Sequence, residues 1–434
     1  MSKIGLRRRG IKALGRCRLL LAAIGCGGLL VREVAWGQTR ESLAGERAAE
    51  ALKSSIEAEA KEYNLRYGPV RYRIGARLAV SYTDNVFYSN NPSEDWVVSP
   101  EIGVGALWPI TERNALRLSL NLGYEWYLKN SVLNGSAPLV NPGSEMMFHV
   151  FVGDFRIRLH ERLSYQESLF FNSFSGENAR FYNFNDVGKF SRFNNEVGFD
   201  ADWDLNKVIV SVGYNHENFV SMTSSFDYLN RASEWFTASS GFFLGDKAQI
   251  GVEGQGSLHD YERQTFLSDN WRVRVGPFVD LKSQAKVGVR AGGGFDTTTY
   301  DQAASSNSDY ESYYAYAKIY QETRLFSHTL SAGREHMLGA NANNLKTTYV
   351  RYTVFSPIVS HVRLEGNLSV NFAEEFGGSF HEEFTYYGAG SRVTWQFHKF
   401  WRTELGYEFL LKESDLPERD FDRNRVTLLV GYSF

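Results

Sequence analysis

Four side chains on one short stretch are placed to act together. Arg156, Arg158, His160 and Arg162 occupy alternate positions, and in an extended chain that spacing turns all four to the same side. Guanidinium groups so arranged suit carboxylates, which they hold through a planar fork of two hydrogen bonds. This cluster is the candidate for a constriction or a ligand ladder. The same alternation puts Arg77, Arg117, Arg192, Arg272, Arg274, Arg290, Arg363 and Arg402 on the polar side of other segments, with Glu365 and Glu404 among them. Arg73, Arg351, Arg392 and Arg425 follow the pattern, as do Glu125, Glu196, Asp200, Glu253, Asp280, Asp296 and Glu408. Two chemistries fit such a face. It is either a set of ion-pair ladders that solvate a wall, or a cationic surplus that draws anionic solutes. Catalysis has no comparable support. The chain has no Gly-x-Ser-x-Gly, no His-Glu-x-x-His and no phosphate-cradling glycine loop, and its nine histidines show no metal-ligand spacing. No catalytic residue, metal or cofactor is expected.

The elements that must position these side chains have a strict period of two. Leu116, Leu118, Leu120, Leu122, Tyr124 and Trp126 alternate with Arg117, Ser119, Asn121, Gly123 and Glu125. Val362, Leu364, Leu368, Val370 and Phe372 do the same, as do Trp401, Leu405, Tyr407 and Phe409. Each run is a strand with one apolar and one polar face. The runs last about 10–14 residues, longer than the usual strand and matched to a tilted transmembrane one. About eighteen are counted from Arg71 to Phe434, including 145–153, 156–170 and 189–202. Short connections such as Gly245-Asp246-Lys247 alternate with long polar ones such as 172–188. The fold class expected is all-β: a closed antiparallel transmembrane up-and-down β-barrel of about eighteen strands, preceded by a short helical segment. Apolar alternates then face lipid and polar alternates face a lumen too wide for side chains to fill.

The tryptophans give an independent check. Trp96, Trp108, Trp126, Trp203, Trp235, Trp271, Trp395 and Trp401 each fall close to a strand end, as an interfacial girdle requires. The last strand alternates up to Tyr432 and stops on Phe434, which is similar to the C-terminal assembly signal of bacterial outer-membrane barrels. Pro100 and Pro277 lie inside strands of a sheet that has no free edge, so bulges or displaced boundaries are expected there.

The N-terminus reads as a leader. Seven basic residues precede the apolar run Leu19–Val31, and Ala35-Trp36-Gly37 offers a small-x-small cleavage site, so residues 1–37 are expected to be a signal peptide. Ala23-Ile24-Gly25-Cys26 faintly resembles a lipobox. Cleavage takes eight basic residues and one acid from a chain of net charge −3, leaving about −10 and neither cysteine. An acidic mature chain argues against nucleic acid as partner. Residues 38–69 carry a helical stripe of Leu43, Arg47, Leu52, Ile56 and Tyr63, ended by Gly68-Pro69, and are expected to form a periplasmic helix or linker; 70–434 is the barrel.

Val80-Ser81-Tyr82-Thr83-Asp84-Asn85-Val86-Phe87, followed by Asp95-Trp96 and Val98-Ser99-Pro100, resembles a β-barrel porin family of Gram-negative outer-membrane proteins often found with exopolysaccharide gene clusters. Gly406-Tyr407-Glu408-Phe409, Asp420-Phe421, Asn424-Arg425-Val426 and Phe434 are similar as well. The resemblance implies an outer-membrane porin that assists export of a saccharide, and transfers no residue role. The expected partners are outer-membrane lipid and lipopolysaccharide, the barrel-assembly machinery, and a polysaccharide or anionic solute. An outer-membrane barrel enzyme, and an adhesin or assembly scaffold acting through its loops, are the competing readings.

Overall fold

The structure, a computed structural model, describes residues 63–434 except 136, 168–169, 172–179, 246, 264–266, 283–285 and 302–308, together with residues 50, 53, 54, 56 and 60. The expected leader lies outside the described residues.

Eighteen long strands follow one another in sequence: β1 (Val70–Thr83), β2 (Asp95–Pro109), β3 (Ala115–Gly123, resumed at Trp126–Tyr127), β4 (Leu139–Val152), β5 (Phe155–Gln166), β6 (Arg192–Asp204), β7 (Val208–Ser221), β8 (Arg231–Phe243), β9 (Ala248–Tyr261), β10 (Asn270–Lys282), β11 (Val287–Tyr300), β12 (Tyr310–Glu322), β13 (Ser327–Leu338), β14 (Asn344–Val359), β15 (Val362–Gly377), β16 (Phe380–Trp395), β17 (Trp401–Ser414) and β18 (Phe421–Ser433). Each pairs antiparallel with the next, and β1 pairs with β18 from Gly75↔Ser433 to Thr83↔Arg425, closing the sheet. Phe434 extends this seam by exchanging backbone hydrogen bonds with Ile74 (2.8 and 3.2 Å). Away from the prolines, the backbone amides of the wall are therefore met by neighbouring strands, which is the condition for crossing hydrocarbon with strands. Leu118, Leu120 and Leu122 stand exposed on the outside while Arg117 and Ser119 turn inward, and the other strands repeat this. The fold is an antiparallel transmembrane up-and-down barrel.

Strand boundaries fall close to those read from the sequence, with several larger departures, among them the strand expected at 361–372, which runs on to Gly377. The strand expected at 145–153 starts at Leu139, that at 156–170 ends at Gln166, and that at 189–202 runs from Arg192 to Asp204. The two prolines produce no bulge. Pro100 faces Leu78 in an unbroken β1–β2 register, and Pro277 faces Val252 in an unbroken β9–β10 register. On the other side of each proline the ladder lapses without shifting: between Gly123 and Trp126 of β3, and between Val275 and Phe278 of β10. A missing N–H removes bonds toward one neighbour only, so the opposite register survives. Beside Pro277 the wall accommodates the lapse with glycine, since a Cβ on Gly276 would stand 2.1 Å from the Gly293 carbonyl oxygen. Register shifts occur instead near two other prolines, between Val140 and Ser144 of β4 and between Pro357 and Val359 of β14.

Connections at one end are tight, with Gly153 and Asn206 at positive φ, and those at the other end are mostly long. The β13–β14 connection (339–343) is short for the long-loop end, and the turn between β15 and β16 is tighter still, through Gly377 and Gly378 at φ 105° and 82°. Before the barrel, residues 50, 53, 54 and 56 are helical. Ala60 and Tyr63 are buried against Leu107 and Ala115, at the short-turn end of the inner wall.

Candidate pore lining and the segment across its mouth

All fourteen pore-lining candidates lie on the inward alternates of their strands. In the cluster on β5, Arg156, Arg158 and Arg162 sit directly opposite Asp202, Asp200 and Glu196 of β6. Arg162 meets Glu196 at 2.6 Å and Arg158 meets Asp200 at 3.4 Å, while Arg156 holds Asp202 through two nitrogens. Strand register alone thus makes three ion-pair rungs. Elsewhere Arg77 binds Glu101, Arg272 and Arg274 converge on Asp296, and Arg290 reaches Glu253 at 3.3 Å. Arg392 joins Glu365 and Glu404 at 3.9 Å each, and Arg402 joins Glu404 at 3.2 Å, a chain across three strands. Arg117 and Arg363 take inward positions on β3 and β15.

In several of these rungs the partners are unequal, though Arg158 and Asp200 (39% and 35%) are nearly matched. Arg156 is 45% exposed against 17% for Asp202, Arg290 47% against 21% for Glu253, and Arg402 42% against 15% for Glu404. The short carboxylates stay near the wall and the longer guanidiniums project beyond them. At those three rungs the guanidinium ends are what a solute would meet first, although the wall is largely charge-paired.

Two candidates are withdrawn from any solute. His160 is buried and hydrogen-bonds Asn215 of β7 at 2.8 Å, because the residue between them, Gly198 of β6, has no side chain to intervene. Arg192 is 1% exposed, donating to the Phe190 carbonyl and stacked on Tyr182 and Phe190.

Arg192 is buried because the segment after β5 folds over it. Phe184, Phe190, Phe219, Phe226 and Tyr182 pack ring to ring with centroids 4.5–6.1 Å apart. At the tip, Asn183 donates to Glu375 (2.8 Å) and Glu382 (2.6 Å) and accepts from Lys412 (2.8 Å). Its backbone carbonyl accepts from Arg419 (2.7 Å) and Asn341. Glu375, Glu382 and Lys412 belong to β15, β16 and β17, half the circumference away from β5 and β6, so the segment spans the lumen. Lys412 and Glu382 are fully sealed from solvent and 2.6 Å apart. Glu375 also accepts from the backbone N–H groups of Ala340 and Asn341, each at 2.6 Å. The Tyr182–Phe190 segment crosses the long-loop end as a packed, ion-pinned lid.

The sequence reading missed Asn183, Glu375, Glu382 and Lys412. The available signal was the aromatic density of Phe181-Tyr182-Asn183-Phe184, unusual for a solvated loop.

Seven of the eight girdle tryptophans face outward. Trp235 does not: it lies on an inward alternate of β8, donates from Nε1 to Glu217 (3.2 Å) and meets His259 edge-on. Phe236 takes the outward position beside it. Nearness to a strand end fixes height along the wall, whereas parity fixes the face, and for Trp235 only the first was weighed.

Fold and lining define a transmembrane β-barrel with an arginine-faced lumen and a lid across one mouth. No family model matches the sequence, and no curated protein matches it. Among solved structures it is similar to the outer membrane protein OpdK of Pseudomonas aeruginosa, at 10% identity over 84% of this chain and 99% of that one (TM-score 0.47). It is similar also to Pseudomonas aeruginosa OccK2 (OpdF) in complex with glucuronate, at 9% identity over 84% and 98% (TM-score 0.49). Acinetobacter baumannii OccAB3 aligns at 9% identity over 85% and 100% (TM-score 0.47). No residue role passes from them to this chain.

Proposed function

We propose that the chain is an outer-membrane channel for polar solutes with a preference for anions, its long-loop mouth held nearly shut by the Tyr182–Phe190 lid. The observation that carries the preference is the forward position of the guanidiniums over set-back carboxylates along β5, β11 and β17. A solute bearing carboxylates exchanges its water for forked hydrogen bonds, while a cation meets the arginine ends first. A saccharide carrying acidic groups, moving outward during surface-polymer export, is the most specific form of this reading. Insertion by the barrel-assembly machinery, lipopolysaccharide around the long-loop rim and both termini on the periplasmic side belong to it as well.

The test is purified protein in a planar bilayer under a potassium chloride gradient. Anion-selective current, with a reversal potential displaced toward the chloride value, is expected. Cation selectivity would remove the anionic preference, and no current from any insertion would remove the channel.

A further inference from the structure

The lipid-facing side of the barrel is not uniform. On β1 to β4 the outward alternates include no charged residue: Leu116, Leu118, Leu120 and Leu122 are typical. On β5 to β8 the same face carries Glu161, Asn195, His216 and Glu234. They stand together. Val197 of β6 is paired with Glu161 on one side and His216 on the other, and His216 is in turn paired with Glu234. Asn195 donates to Glu161 at 3.4 Å, and the His216 Nδ1 lies 2.9 Å from Glu234.

The height of this patch makes it costly. Trp108 and Trp96 mark the two interfaces on β2, twelve positions apart. Glu161 is six positions above Phe155, which stacks on Trp203 at the short-turn girdle. At about 3.3 Å per residue and a tilt near 40°, Glu161 stands roughly 15 Å into the apolar band. Leu159 and Phe199 lie below the patch and Leu163 above it, all exposed. Ionisable groups at such depth against acyl chains are unfavourable and ordinarily face protein or water.

We propose that this surface is covered by a second copy of the chain, through a two-fold axis along the membrane normal in front of Val197. The argument is charge complementarity. Among the described residues Glu161 meets no cation, and the His216 Nε2 meets no acceptor. An axis through Val197 sets the Glu161 side of one copy against the His216 side of the other and repeats the contact in reverse, as an isologous interface must. The opposite wall, at Leu368 on β15, offers no such pairing. This inference rests on the transmembrane fold and not on conduction, so it stands or falls separately from the channel reading.

The experiment is thiol cross-linking of the mature protein in membranes, with Val197→Cys on the axis and Leu368→Cys half the circumference away. Dimer is expected from Val197→Cys and only monomer from Leu368→Cys. In the otherwise unaltered protein, Glu161→Gln is expected to raise the dimer dissociation constant about tenfold in detergent. Heat-shifted gel mobility would establish that each variant has closed its barrel. Equal cross-linking at the two sites would overturn the proposal. So would a monomeric mass at all concentrations, with or without a lipopolysaccharide bound at the patch.

Discussion

His160 of β5 and Asn215 of β7 hydrogen-bond at 2.8 Å although a whole strand runs between them. The contact exists because the middle position of their row is Gly198, over which the Asn215 side chain lies. A Cβ there would stand 2.0 Å from Asn215 Oδ1 and 2.3 Å from the Tyr214 carbonyl oxygen. Backbone cannot yield as a flexible side chain would. Gly198→Ala is therefore expected to cost about 1–3 kcal/mol and to break the His160–Asn215 bond. Chemical denaturation of the refolded barrel checks the first part, and the histidine nitrogen shifts in an NMR spectrum check the second.

Asn183 ties the lid to three strands of the far wall through charged partners. Each such hydrogen bond contributes about 1.5–3 kcal/mol, so Asn183→Ala should loosen the lid without disturbing strand pairing. Single-channel conductance is expected to rise about twofold or more. Conductance identical to the parent protein would mean that the segment does not limit flow.

Tyr228 lies in the β7–β8 loop beneath the lid, and burial together with the nearby Glu375 carboxylate pushes its hydroxyl up to about 12. Because the folded value is raised, the neutral phenol stabilises the packed state fully below the ordinary value near 10. That contribution is lost as pH climbs from about 10 to about 12. Lid opening, read as rising conductance, should begin within this window. With Tyr228→Phe the rise should be absent or should come from other groups at a different pH.

The outward tryptophans and Trp235 should separate by quenching. Lipid with brominated acyl chains is expected to dim the total fluorescence strongly, and Trp235→Phe should leave the quenchable part unchanged. Trp395→Phe, by contrast, should reduce it. A Trp235 quenched as fully as the rest would place its ring in lipid.

The wall was legible because period two is a local signal that each strand states independently. Leu116 to Trp126 needs no knowledge of its neighbours to be read as half-buried, and neither does the Arg156–Arg162 ladder. Facing acids were legible as a population, but the rungs were not, since Arg158 meets Asp200 only once register is set. The prolines were misread for a related reason: the side toward which Pro277 lacks a bond depends on which neighbour its nitrogen faces. Least legible was the lid. Asn183 finds Glu382 and Lys412 from 199 and 229 positions away, and nothing in its local sequence names them.

The pairing of β1 with β18 joins Ser81 to Thr427, 346 positions apart in the chain. A nascent polypeptide interrupted anywhere before residue 421 presents two raw edges and a greasy, curved ribbon with nothing to shield it. Since the first strand made must wait for the eighteenth, β18 has to be made before the ring can form. The interval between them is the period in which the apolar outer face has no closed wall behind it.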